Sequence, residues 1–221
     1  MTDSWDETDD YLARTLVGDD PALASALAAN HDAGLPPIDV SPLQGKLLSL
    51  LARAIGARRV LEVGTLGGYS TIWLARAVGE DGHVLTLEYE PRHAAVAAAN
   101  LDLAGVGERV EVRIGSALDT LRSLDPGTPP FDLVFIDADK VNNSNYVLEA
   151  LRFSHPGTVI VVDNVVRGGG VSNPDLDDDA VRASRDVLDL FARDPRLDAT
   201  AMQTVGGKGW DGFALALVTE G

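Results

Sequence analysis

From Ser41 onward, short apolar runs alternate with longer stretches in which apolar residues recur every three or four positions. The short runs are Arg59–Val63, His83–Glu88, Arg109–Ile114, Phe131–Asp137 and Thr158–Asp163, and they predict strands. The last two carry LVFI and VIVV at their centres, which predicts burial on both faces, as in a parallel sheet covered by helices. Between the runs, helices are predicted. One starts at Ser41-Pro42, with Leu43, Leu47, Leu50, Leu51 and Ala54 at helical spacing. Others cover Tyr69–Val78, the Ala-rich Pro91–Ala104, about Ala117–Leu121, and a stretch near Asn145–Phe153. A helix at Asp179–Asp194 and two strands, Asp198–Gln203 and Gly212–Thr219, close the chain. No internal repeat interrupts the alternation. The pattern predicts an α/β fold: one open, doubly wound, mostly parallel sheet with helices on both faces.

The first forty residues read differently. Residues 1–20 hold seven acids against one base, Arg14, which predicts a solvated arm with a short helix over Tyr11–Val17. Asp20-Pro21 is an N-cap and first-turn pair that opens a helix to about Asn30. Residues 31–40, with Gly34-Leu35-Pro36-Pro37, predict a loop into the main fold. The expected organisation is therefore 1–40 as an acidic arm and helix packing on the core, and 41–221 as the main domain.

Composition narrows the function. The 221 residues include no cysteine, which excludes a disulfide scaffold, a thiolate zinc site and a cysteine nucleophile. A formal charge of −16 opposes nucleic acid as a partner, because that binding rests on Lys and Arg contacts to phosphates. No apolar run is long enough to span a bilayer, and the acidic start has no signal-peptide core. The expectation is a soluble cytoplasmic protein with neither membrane nor nucleic-acid partner.

In open α/β sheets, ligands bind beyond the carboxyl ends of the strands, so the residues after each strand carry the chemistry. The first strand ends Glu62-Val63-Gly64-Thr65-Leu66-Gly67-Gly68-Tyr69-Ser70. Its G-x-x-G-G spacing is neither the dinucleotide fingerprint nor a P-loop. Glu62 is an acid in an apolar strand end: either an anchor for the turn or an acceptor for a ligand's ammonium group. Glu88, 24 residues after Gly64, ends the second strand, where an acid can accept both hydroxyls of a ribose. The fourth strand ends Asp137-Ala138-Asp139-Lys140 and the fifth Asp163-Asn164. Asp137, Asp163 and Asn164 form an all-oxygen set suited to Mg²⁺, Mn²⁺ or Ca²⁺ rather than zinc, although Asp163-Asn164 also suits a simple Asx turn. Lys140, beside these acids, is a candidate general base for a hydroxyl whose acidity a metal raises.

Taken together, VLEVGTLGGYST, TLEYEP, IDADK and VVDN resemble the cation-dependent O-methyltransferases of the caffeoyl-CoA and catechol type, over about Val40 to Val218. The resemblance implies the Rossmann-like class I methyltransferase fold, with an antiparallel last strand, and a homodimer. It implies that Val40, Glu62, Gly64, Thr65 and Ser70 surround the amino-acid end of S-adenosylmethionine. Glu88 would hold the ribose, and Ala117, after Gly115-Ser116, would contact the adenine. Asp137, Asp163 and Asn164 would ligate the divalent cation, with Asp137 also beside the cofactor. Lys140 would be the base and Asp139 a substrate contact. The implied reaction is methyl transfer to a hydroxyl of a catechol-like or phenolic small molecule. The chain departs from the family in lacking the His-Trp found in catechol O-methyltransferase where it has Ala138-Asp139. It also carries a longer Gly206–Gly212 segment, and Arg167–Gly170 reads as a mobile loop beside the metal. Trp210 reads either as a wall of the acceptor pocket or as a buried or interface residue.

Other readings fit less of the chain. An NAD-linked oxidoreductase lacks its glycine fingerprint, and a methyltransferase for nucleic acid or protein meets the wrong charge and a needless chelating set. A non-catalytic S-adenosylmethionine-binding protein would not need Asp137, Asp163 and Asn164 together.

Overall fold

A computed structural model describes residues 3–219. The chain runs α1 (Asp3–Leu12), a wider π-type turn at Ala13–Val17, α2 (Pro21–Asp32), α3 (Pro42–Ala54) and β1 (Arg59–Val63). It continues through α4 (Tyr69–Ala77), β2 (His83–Glu88), α5 (Pro91–Leu103), β3 (Val110–Ile114), α6 (Ala117–Ser123) and β4 (Phe131–Ile136). The remainder is α7 (Asn143–Leu151), β5 (Ser154–Asp163), α8 (Asp179–Arg193), β6 (Leu197–Gly206) and β7 (Gly209–Val218).

Seven strands form one sheet in the order β3-β2-β1-β4-β5-β7-β6. The first five are parallel, and β7 runs antiparallel to both β5 and β6. The mostly parallel, doubly wound sheet with an antiparallel closing strand is thus as predicted. Side-chain alternation along each strand feeds two cores. Leu61, Val63, Leu85 and Leu87 pack with Leu121, Val147, Val187 and Phe191 of α6, α7 and α8. Val60, Val84, Leu133 and Phe135 pack on the other face with Leu23, Leu48, Ile72 and Leu101 of α2, α3, α4 and α5. The strand order reverses between β1 and β4, which sets a crevice at their carboxyl ends.

The predicted helix starts hold in atomic detail. The Asp20 carboxylate accepts from Ala22 N and Leu23 N and pairs with Arg76 at 2.6 Å, while the Ser41 hydroxyl accepts from Gln44 N.

Two regions differ from the sequence reading. The helix predicted over Tyr11–Val17 is present but begins earlier, at Asp3, and its first part docks on the sheet's last hairpin. The Asp9 carboxylate there accepts from Gly207 N at 3.1 Å. The last strands are also longer than predicted: the ladder continues through Thr204↔Asp211 and Val205↔Trp210 to a tight turn at Gly207-Lys208. Glycine and charged residues there read as loop, but paired backbones satisfy their hydrogen bonds regardless of side chain. Among the described residues no helix is long and apolar enough to cross a membrane.

Candidate active site

The crevice opens into a cavity of about 770 Å³ at the carboxyl ends of β1, β2, β3, β4 and β5, inside the range of roughly 300–1,000 Å³ typical of small-molecule sites. Its walls include Val40, Gly64, Thr65, Ser70, Glu88, Ala117, Asp137, Asp139, Lys140 and Asn164. The tertiary structure therefore brings most of the predicted site residues together. Glu62 and Asp163 stand just outside the walls.

The glycine turn is built from below. Gly64 has φ +102°, and a Cβ on it would lie 2.3 Å from the Asp137 carbonyl oxygen, so only glycine lets the β1 turn meet the β4 turn this closely. Glu88 secures the same turn: one carboxylate oxygen accepts from Thr65 N at 3.2 Å and Leu66 N at 2.8 Å, and the other from Glu90 N at 3.0 Å. His93 Nδ1 lies 3.3 Å from that second oxygen. Glu62 is fully buried and accepts from Ser70 Oγ at 2.6 Å, Thr71 Oγ1 at 2.5 Å and Thr86 Oγ1 at 2.7 Å. Burial, opposed by those three hydroxyls, pushes its carboxyl up to about 7. Glu62 thus anchors the turn and stands one hydrogen bond behind Ser70, which faces the cavity.

The acids after β4 and β5 stand side by side because Ile136 and Val162 are in register. Burial, then the nearby Asp137 charge, pushes the Asp163 carboxyl up to about 6. Lys140 Nζ donates to Asp137 Oδ1 at 2.7 Å, and Asp163 Oδ1 accepts from Asn164 N at 2.8 Å. Asn164 adopts φ +60°, a left-handed conformation that Asn tolerates and that clusters at functional sites. Two crowded carboxylates and an amide oxygen at a cavity edge fit a hard divalent cation, which relieves their mutual repulsion. Among the described residues no group of three or more His, Cys, Asp or Glu forms a metal cluster. The predicted set has only two such residues, its third ligand being an amide.

The chain matches the O-methyltransferase family model over residues 17–217. It belongs to the O-methyltransferase family. A catechol O-methyltransferase of Mycobacterium tuberculosis is 63% identical over 96% of this chain and 95% of the relative. A solved O-methyltransferase of Streptomyces achromogenes involved in tomaymycin synthesis, in complex with SAM, is 50% identical. Its TM-score is 0.95, and the match covers 99% of this chain and 98% of that one. The O-methyltransferase from Bacillus cereus in complex with SAH is 49% identical with TM-score 0.96, over 99% and 100% of the two chains. The resemblance drawn from the four motifs is borne out.

Sequence reasoning about this O-methyltransferase missed several wall residues. Asp39, Leu66, Tyr69, His93 and Tyr146 all line the cavity, as does Arg167 of the loop expected beside the metal. Tyr146 donates to Asp139, which raises its own phenol pKa, with burial the larger cause. Its helical position carried no signal of that contact. The Arg167–Gly170 loop is hydrogen-bonded at both ends: Val166 N and Arg167 N both donate to Asp211 at 3.0 Å, and the Arg185 guanidinium donates to the Gly170 and Val171 carbonyls. Trp210 does not line the cavity. Its ring packs on Gly169 and its Nε1 donates to Gln203 at 2.9 Å, with 45% of the residue exposed.

Proposed function

We propose that the protein is a divalent-cation-dependent O-methyltransferase that moves the methyl group of S-adenosylmethionine to one hydroxyl of a catechol-like small molecule. The observation that carries this is the convergence on one cavity of a glycine turn, a ribose-type acid and a carboxylate–amide–lysine group. The SAM- and SAH-bound relatives at about half identity support the donor, and the catechol O-methyltransferase relative supports the acceptor class.

In this reading, Val40, Glu62, Gly64, Thr65 and Ser70 surround the amino-acid end of the donor, with Glu62 also fixing Ser70. Glu88 accepts from the ribose hydroxyls and Ala117 borders the adenine. Asp137, Asp163 and Asn164 hold the cation, Mg²⁺ first, with Mn²⁺ or Ca²⁺ matching the same donor set. When bound, such a cation acts as a Lewis acid and template that favours the ionised form of a coordinated hydroxyl. Asp139, bonded to Tyr146, contacts the acceptor ring's substituents. Lys140 Nζ, once its ion pair with Asp137 gives way, takes or stabilises the proton of the attacking hydroxyl. The oxygen–carbon bond forms as the sulfur–carbon bond breaks, and the sulfonium leaves as a neutral thioether. Holding oxygen and methyl in line is the main source of rate. A cytoplasmic homodimer completes the proposal, the dimer resting on the family resemblance.

The test is methyl transfer from S-adenosylmethionine to caffeoyl-CoA, caffeic acid, simple catechols and catechol-bearing flavonoids, with Mg²⁺ and again with excess EDTA. Turnover abolished by EDTA supports the cation-dependent reading. Turnover that survives EDTA overturns it.

A further inference from the structure

Arg167 is a cation on the cavity wall, and its place along the sheet decides what it can meet. The residues after each strand line the cavity in sheet order: Ala117 after β3, Glu88 after β2, Gly64 after β1, Asp137 and Lys140 after β4, Asn164 and Arg167 after β5. Neighbouring strands lie about 4.8 Å apart, so β5 stands about 19 Å across the sheet from β3. With the donor placed as proposed, its adenine, ribose and amino-acid parts cover the β3, β2 and β1 ends. Arg167 therefore stands at the opposite end, past Asp137 and Lys140, on the acceptor's side.

Its backbone is clamped, while its charged head is left open. Val166 N and Arg167 N donate to Asp211 Oδ1 at 3.0 Å, and Gly168 N donates to the Trp210 carbonyl at 3.0 Å, which fixes the loop to β7. Arg167 takes φ +55°, a left-handed conformation uncommon for a long side chain. Among the described residues its guanidinium donates no hydrogen bond, and its ion pair, with Asp211 Oδ2, is long at 3.8 Å. The other wall groups able to carry positive charge are engaged: Lys140 Nζ donates to Asp137, and His93 Nδ1 lies 3.3 Å from Glu88.

A guanidinium offers five N–H donors in a planar fork that matches a carboxylate. Asp137 and Asp163 are the acids whose charge a bound divalent cation offsets, so an acceptor anion at this end meets Arg167 without their full repulsion.

We propose that Arg167 is a specificity-determining residue: its guanidinium receives a carboxylate carried by the acceptor, so the preferred acceptors are catechol-like acids. The inference rests on the catechol-type acceptor proposed above and narrows it.

The experiment uses the full chain with Mg²⁺ and S-adenosylmethionine on protocatechuate, homoprotocatechuate and caffeate, each beside its neutral methyl ester. The three arms differ in reach from ring to carboxylate. A hydrogen bond to a charged group corresponds to a factor of about ten or more, so wild type should favour the acid by about that factor in kcat/KM for the best-fitting pair. Arg167→Gln should erase that preference, chiefly through the KM of the acid. Arg167→Lys should keep part of it, since an ammonium retains the charge without the fork. Calorimetric titration of the same acid into enzyme holding Mg²⁺ and S-adenosylhomocysteine should show the same loss of affinity in Arg167→Gln, independently of turnover. S-adenosylmethionine affinity without acceptor should match wild type, which separates a lost contact from a lost fold. Should Arg167→Gln fail to fold, Arg167→Lys carries the test. Wild-type turnover with no acid favoured over its ester, or an acid preference that Arg167→Gln leaves in place, overturns the inference alone. An equal loss on acid and ester, as stacking of the guanidinium on the ring would give, overturns it as well. A wild type that methylates none of these diols overturns the proposed acceptor class and this inference with it.

Discussion

Lys140 and Glu62 show how one residue's environment sets its task. Lys140 is held against Asp137 at 2.7 Å on the cavity wall, and the general-base role proposed for it corresponds to about a hundredfold or more in turnover. Lys140→Ala should therefore lower kcat by at least that order while leaving S-adenosylmethionine affinity intact, as read by steady-state kinetics beside calorimetry. Glu62 makes a pH prediction. Its folded pKa, pushed up to about 7 from 4.5, means that the folded state binds its proton more tightly than the unfolded state. Its stabilising contribution is full below 4.5 and is lost as pH rises through about 7. Urea denaturation of wild type should show stability declining across that window, and Glu62→Gln should flatten the decline.

At the scale of elements, the contact between α3 and α4 depends on one missing side chain. A Cβ on Gly45 would lie 2.4 Å from the Trp73 ring, and Lys46 Nζ stands 5.8 Å from the same ring's centroid. Alanine is the better helix former by about 1 kcal/mol, yet overpacking a filled core costs about 1–3 kcal/mol. Gly45→Ala should therefore lower the denaturation midpoint, and a rise would show that Trp73 can move aside. The hairpin of β6 and β7 teaches the complementary lesson. Its Gly- and Lys-bearing tip is ordered by ladder pairing and by Asp9 of α1, contacts invisible in local composition.

For the whole molecule, the order β3-β2-β1-β4-β5-β7-β6 is what gathers five strand ends around one cavity. A ligand that binds only this assembled state stabilises it by mass action. S-adenosylhomocysteine at a hundred times its Kd should add about 2.7 kcal/mol, which at roughly 2–4 °C per kcal/mol for a domain of this size raises Tm by about 5–10 °C. Absence of any shift in a thermal melt would remove the cavity as the cofactor site.

The sequence by itself determined the alternation of strands and helices, their capping residues, and the acids and glycines that follow each strand. Those signals are local: a period of two or of three to four, an N-cap carboxylate, a turn that only glycine permits. It also placed Glu88, Asp137, Lys140, Asp163 and Asn164 by their motifs. Only the tertiary structure decided that Glu62 lies behind Ser70, that Trp210 packs on Gly169, that the acidic start is helical from Asp3, and that Asp39 reaches the cavity. Each of these depends on partners distant in the chain: Thr86 for Glu62, Gly169 for Trp210, Gly207 for Asp9, and Asn30 backed by Asn100 for Asp39. Residues far apart along the chain leave no periodicity, so their meeting becomes legible only when the sheet and its helices bring them into contact.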